Sequence, residues 1–220
     1  MDAEDYDRWY ATPRGRWIGR RETALVLDGL QPRRGESLLD VGCGTGHFTR
    51  ALGAAIEGDV AAVDIDRAWV DYARRHDERH ALYAIADGSA LPFADAGFDL
   101  VVSIAAICFM DDERTATREL VRVTRRRFAV GLLNRHSLLW LKKGRNGGSG
   151  GYRGARWHTP DEARALFEGL PVRNVRVATA IHAPGGSWPA RAAERVLPSW
   201  LPTGAFIVVS GDAICGGAAG

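Results

Sequence analysis

Asp40, Asp64 and Asp87 each stand at the end of a short apolar run, and the first is followed by glycines at Gly42, Gly44 and Gly46. Ser37 to Phe48 therefore reads as a buried strand, a tight glycine turn and the N-terminus of a helix. Such a turn exposes backbone N–H groups and admits a ligand close to the main chain, because glycine lacks Cβ and tolerates positive φ. The ligand chemistry this suits is a nucleotide or a molecule carrying a nucleoside. A dinucleotide site spaces its glycines G-x-G-x-x-G. Here the third glycine, Gly46, comes one residue early and His47 occupies the dinucleotide position. A P-loop is excluded because no Gly-Lys-Ser/Thr follows. Asp64 lies 22 positions after Gly42, the distance at which a carboxylate closing the second strand of a βαβ unit reaches ribose hydroxyls. Its structural alternative is a cap for the helix starting near Arg67, a role that Asp66 fills better.

Three histidines are candidate bases, since imidazole titrates near neutrality: His47, His136 and His158. Each has an ordinary alternative, as a residue at a helix start, on a surface loop and before a helix cap. Cys43, Cys108 and Cys215 are odd in number and far apart, which argues against a disulfide framework and supplies no paired metal-ligand spacing. No metal is expected.

The elements that must hold these residues follow from the hydrophobic pattern. With 220 residues and 46% hydrophobic content, the chain supports one substantial core. Phe48, Ala51, Leu52, Ala55 and Ile56 recur at helical spacing, Asp59 to Ile65 is a second strand, and Ala81 to Asp87 is a third. Between the last two, Trp69, Tyr72, Ala73 and His76 form an expected inward stripe. A fourth strand is expected over Phe98 to Ala105, then a helix capped by Asp111 or Asp112 and running to about Arg126, then a fifth strand over Phe128 to Asn134. Arg125, Arg126 and Arg127 would sit at that helix's C-terminus, where cations suit the dipole. Before the first strand, a helix is expected from about Arg16 to Gly29. Tyr6, Trp9, Tyr10 and Trp17 either pack that segment onto the body or cover a ligand. After the fifth strand, the glycine-rich run Gly147 to Gly151 is either an idle insertion or a mobile cover. Thr159-Pro160-Asp161-Glu162 starts a short helix, and Val172 to Ile181 and Ala205 to Ser210 are two final strands. The fold class expected is α/β: a Rossmann-like doubly wound sheet, mostly parallel, with an antiparallel C-terminal edge strand.

In combination, LLDVGCGTG, AVDID, ADGSALPFADAGFDLVVS and RELVRV resemble the class I S-adenosylmethionine-dependent methyltransferases. The nearest branch is the small-molecule methyltransferases similar to those of quinone biosynthesis. The resemblance is ordered from about Ser37 to Asn134 and thin on either side. It implies that Gly42, Gly44 and Gly46 pass close to the methionine part and ribose of S-adenosylmethionine, and that Asp40 orients the methionine amino end. It further implies that Asp64 takes the ribose hydroxyls, Ile65 packs on adenine, Asp87 accepts from the adenine amino group with Gly88 beside it, and the backbone of Ser103 and Ile104 meets the cofactor's amino group. Tyr10 or Tyr6 could face the sulfonium. The family's proline-glycine-glycine before the fifth strand is replaced here by the three arginines.

One domain is expected, with residues 1–30 as a helical lid, 37–134 as the cofactor-binding core and 135–203 as substrate-side and C-terminal elements. The net charge of +2 lacks the footprint of a nucleic-acid binder. The charged start of the chain has no apolar signal core, and no run reaches the ~18 to 20 apolar residues of a membrane span. A cytoplasmic enzyme acting on a small-molecule methyl acceptor is the expectation. Its rivals are a cofactor-binding regulatory protein without catalysis and, further off, a nicotinamide-dependent dehydrogenase.

Overall fold

Leu38-Leu39-Asp40-Val41 is buried at every position and forms β1, the centre of the sheet. In the computed structural model, which describes residues 2–214, the further strands are β2 (Val60–Asp64), β3 (Leu82–Ile85), β4 (Phe98–Ile104), β5 (Thr124–Leu133), β6 (Val172–Ala180) and β7 (Phe206–Ala213). They make one seven-stranded sheet in the order β3-β2-β1-β4-β5-β7-β6. Pairing is parallel from β3 through β5, and β7 runs antiparallel to both β5 and β6. The expected mixed sheet is therefore present, with the antiparallel strand inserted between β5 and the outermost strand β6. Cys215 lies outside the described residues.

Alternation along the central strands splits the core into two layers. Leu38, Leu100 and Val102 face α2 (Pro13–Leu30) and α3 (His47–Ile56), where Val26, Leu30, Leu52 and Ile56 pack. Leu39, Val101 and Val130 face α5 (Glu113–Val123) and α7 (Pro160–Ala165), with Leu120 and Ala163. On the β2 and β3 side, α4 (Arg67–Arg75) buries Val70 and Ala73.

The N-terminal segment, which shows no clear period, contains a helix of its own, α1 (Ala3–Ala11). It is capped by the Asp2 side chain accepting from the Asp5 N–H and braced by Arg8 against Glu4 and Asp5. Thr12 then caps α2, with Pro13 at its first position. Tyr6, Trp9 and Tyr10, at i, i+3 and i+4, pack α1 onto the core, and its exposed ion pairs add little.

Two expectations are corrected. Arg125, Arg126 and Arg127 lie in β5 and not at a helix end, because α5 stops at Val123 and Leu100 pairs with Arg127 across the sheet. Their cations are met by acids: Arg125 by Asp99 at 2.7 Å, Arg126 by Glu36 and Arg127 by Asp212 at 3.4 Å. In α4 the inward residues are Val70 and Ala73. His76 is the exposed C-cap, stacked on Tyr72 at 4.0 Å, and Trp69 turns toward α1. The segment between β6 and β7 holds α8 (Trp188–Val196). Among the described residues no helix is long and apolar enough to cross a membrane.

Candidate active site

The turn after β1 is fastened to β2 by the N–H groups of Gly42 and Cys43, both donating to the Val63 carbonyl at 2.7 and 3.0 Å. Gly42, Gly44 and Gly46 hold φ of 76°, 54° and 76°, and a Cβ on Gly42 would sit 2.3 Å from that of Ala106. Gly46 caps α3 without a side chain, so the first N–H groups of that helix look out beside the turn. Asp64, at the end of β2, accepts from the Gly44 N–H at 2.8 Å and the Asp66 N–H at 3.0 Å. Those bonds fix the carboxylate at the lip of the turn while each oxygen keeps a lone pair for a further donor. Ile65 beside it is 69% exposed, an apolar surface with nothing of the chain over it. Asp87 lies two residues beyond β3, exposed, accepting the Ser89 N–H at 2.8 Å, and Gly88 next to it is closed in by Met110.

Asp40 is different. It is 1% exposed and accepts from the Thr49 hydroxyl at 2.6 Å, bracing β1 on α3 beneath the turn. Burial pushes its carboxyl up to about 7, partly offset by the Thr49 bond. The sheet thus brings Asp64, Asp87 and the glycine turn to one rim, and holds Asp40 below it. Ser103 and Ile104 are buried at the end of β4, Ser103 with no partner for its hydroxyl, and Ala105 after them takes φ of 51°.

Helix α1 lies across this rim. Tyr10 stacks on His47 at 3.7 Å and 15°, Tyr6 meets Trp69 at 5.2 Å, and Asp7 pairs with Arg50 at 2.8 Å. Burial pulls the His47 imidazole down to about 4, so it is neutral near pH 7. His136 is exposed before α6 (Leu138–Lys143). His158 is buried, 3.2 Å from Glu113. Neither of the last two borders the cavity described next.

Beyond Tyr10, over the carboxyl ends of β4 and β5, lies a cavity of about 400 Å³. Its walls are aromatic, with Trp9, Tyr10, Phe109, Tyr152 and Phe206, and the glycine-rich segment at Ser149, Gly150 and Gly151 closes one side. Glu22 of α2 also faces it, with its Oε2 buried and unpartnered; burial pushes this carboxyl up to about 8. Sequence reasoning passed over Glu22. The signal was there: with Ile18, Leu25 and Val26 it occupies positions i, i+4, i+7 and i+8 of one helical stripe, so an acid stands on the buried face. A second cavity of about 530 Å³ opens at the opposite end of the sheet from the turn, among Arg33, Arg126, Arg127 and Arg173; Arg126 pairs with Glu36, and Arg127 and Arg173 pair with Asp212. Among the described residues no cluster of side chains could hold a metal ion.

A glycine turn, a strand-end carboxylate and an open apolar residue stand together at the carboxyl end of a doubly wound sheet, the end at which Rossmann-like folds bind ligands. Residues 39–127 match the family described as methyltransferase domain. The O-methyltransferase cnsE of Penicillium expansum is 35% identical over 113 residues, covering 49% of this chain and 41% of that protein. An uncharacterized protein of Mycobacterium tuberculosis is 34% identical over 199 residues, covering 84% of this chain and 63% of the relative. The chain thus spans less than two thirds of the length of these relatives. Among solved structures, a methyltransferase of Thermotoga maritima described as a possible histamine N-methyltransferase superposes with a TM-score of 0.72 at 22% identity, over 95% of this chain and 94% of that one. That likeness is one of fold. Residues 39–127 are thus similar in sequence to methyltransferase domains, and the fold is one shared with a solved methyltransferase.

Proposed function

We propose that the chain transfers a methyl group from S-adenosylmethionine to a hydroxyl of a small aromatic molecule held in the 400 Å³ cavity. The observation that carries this reading is the position of that cavity: it opens beside the glycine turn, separated from it by Tyr10, and is walled by rings. Several curated relatives that match about half of the chain are named O-methyltransferases, which supports oxygen as the site of methylation. The aromatic walls suit a phenolic ring, the acceptor class that the likeness to quinone-biosynthesis methyltransferases implies.

The roles of the residues follow from where they stand. Asp64, held by the Gly44 and Asp66 N–H groups, takes the two ribose hydroxyls, and Ile65 covers one face of the adenine. Asp87 accepts from the adenine amino group, beside Gly88, whose lack of a side chain leaves room against Met110. Gly42, Gly44 and Gly46 let the main chain approach ribose and the methionine part, and the end of β4 at Ser103 and Ile104 meets the methionine end. Asp40 supports this arrangement from below through Thr49. Tyr10, stacked on His47 between turn and cavity, borders both. When bound, the cofactor supplies a methyl group on a positively charged sulfur. The chain's contribution is alignment of the two partners and exclusion of water by α1 and the 149–152 segment.

The test is a calorimetric titration with S-adenosylmethionine and S-adenosylhomocysteine, together with methyl release over a panel of phenols, amines and thiols. Micromolar binding with turnover confined to phenols is expected. Binding without turnover on any acceptor identifies a regulatory cofactor-binding protein, and protection by NAD instead identifies a dehydrogenase.

A further inference from the structure

We infer that Glu22 is the general base of the methyl transfer, accepting the proton of a phenolic hydroxyl that enters the aromatic cavity; this rests on the methyltransferase reading above. Glu22 sits among the apolar stripe of α2, on the wall of the cavity and not on an outer face of the protein. Its Oε2 is buried and has no hydrogen-bond partner. A buried acceptor without a donor is costly, and the groups that face it do not remove that cost. From α1 the facing groups are Tyr6 and Tyr10, whose hydroxyls contact each other at 3.4 Å; from the 150–152 turn it is Tyr152. Two cations border the same cavity: Arg14 of α2, which donates instead to the Pro184 carbonyl at 2.8 Å, and Lys143 of α6, exposed at the mouth. The donor that Glu22 lacks is therefore one that a ligand brings.

The same geometry selects the ligand. Trp9, Tyr10, Phe109 and Phe206 present flat apolar surface beside the Glu22 carboxyl, which fits a ring bearing a hydroxyl. Burial lifts the carboxyl to about 8, because no facing cation compensates it, and a base of that strength is matched to a phenol near neutral pH. In the transfer, the acceptor's O–H bond breaks and its proton passes to a Glu22 oxygen. The acceptor oxygen forms the new O–C bond as the methyl carbon's bond to sulfur breaks, the electron pair staying on sulfur. Glu22 then returns its proton to solvent as product leaves. No further reactant is needed.

The experiment uses the full chain with catechol and 4-nitrocatechol, which differ in acidity, and reads both binding and turnover. With S-adenosylhomocysteine bound, both phenols titrate into the wild type. Glu22→Gln keeps its affinity for S-adenosylhomocysteine and loses roughly 10²- to 10⁴-fold in turnover of catechol. The loss is smaller for 4-nitrocatechol, whose hydroxyl needs less help, and Glu22→Asp recovers part of the activity. The wild-type kcat/KM rises with pH through about 8, and this limb is absent from Glu22→Gln. Equal losses on both phenols with an unaltered pH profile, or an undiminished Glu22→Gln, overturn the assignment of Glu22 as base. A wild type that binds S-adenosylhomocysteine yet neither binds nor methylates either phenol overturns the phenolic acceptor while leaving the cofactor site standing. Failure to bind S-adenosylhomocysteine removes the underlying reading and this inference with it.

Discussion

Asp64 concentrates more of the site's geometry than any other side chain on the rim. Its two oxygens already order the glycine turn and the start of α4 through the Gly44 and Asp66 N–H groups. Replacing it with alanine removes both the organiser and the proposed ribose acceptor. Hydrogen bonds to a charged group contribute about 1.5–3 kcal/mol, so Asp64→Ala is expected to weaken S-adenosylhomocysteine binding by roughly 10- to 100-fold in calorimetry. His158→Ala serves as contrast: His158 pairs with Glu113 on the far layer of the sheet, and its loss is expected in thermal stability and not in cofactor affinity. Equal weakening by the two substitutions removes Asp64 from the proposed site. Gly42 tests the backbone in the same way. A methyl group there meets Ala106 at 2.3 Å in a conformation with φ of 76°, and such strain costs on the order of 1–3 kcal/mol. For a chain of this size, Gly42→Ala is expected to lower the melting temperature by roughly 2–12 °C in calorimetry.

Among the elements, α1 is the one that the chain pattern concealed and the site most depends on. The strands β1, β2 and β4 were legible because burial on both faces makes a parallel strand an apolar run, with a turn or cap residue at each end, whereas the edge strand β3 exposes Leu82 and Ile85. Asp66, Asp112 and Thr159 each cap the helix expected of them. In α1, by contrast, the inward face is only Tyr6, Trp9 and Tyr10, with Tyr10 alone fully buried, a stripe too short to stand out among its charged neighbours. The three arginines misled for a related reason: cations after a helix pattern suit a dipole, and only the pairing of β5 with β4 shows them to be strand residues held by acids of other segments. Glu22 was hidden because the purpose of an acid on a buried stripe appears only once the cavity in front of it is known. The chief polar tie between α1 and the glycine turn is Asp7, which pairs with Arg50 and accepts from Thr45 at 3.3 Å. Both partners are about one-quarter exposed, so the pair contributes roughly 0.2–1 kcal/mol. Asp7→Ala or Arg50→Ala is expected to speed cofactor release a few-fold in stopped-flow fluorescence, with the double substitution no worse than either single one. Additive effects exclude the ion pair as the fastening of α1.

At the scale of the whole molecule, the buried ionisable groups make folding stability a function of pH with a sign that can be worked out. Burial raises Glu22 from its ordinary 4.5 to about 8 and Asp40 from 3.8 to about 7. Across those intervals the folded chain holds protons that the unfolded chain has released, so both groups lower stability as pH rises, each by at most about 1.4 kcal/mol per pH unit. His47 acts oppositely: burial lowers it from 6.5 to about 4, and stability rises with pH between those values as the unfolded imidazole gives up its proton. On the acid side, Asp99, Glu119 and Glu162 are held below their usual range: Asp99 by the Ser37 and Arg125 bonds against the opposing pull of burial, Glu119 chiefly by the Arg122 bond and Glu162 chiefly by the Thr159 N–H. Their contribution is lost as pH falls through the carboxylate range. Between pH 6.5 and 8 the two raised carboxyls dominate these shifts, and the melting temperature is expected to fall across that interval in differential scanning calorimetry. Glu22→Gln is expected to flatten that slope and to raise the melting temperature at pH 8, because the amide has no charge to desolvate. A slope unchanged by Glu22→Gln means that the carboxyl is ionised and solvated in the folded protein, and a carboxylate so placed lacks the basicity that the proposed proton transfer requires.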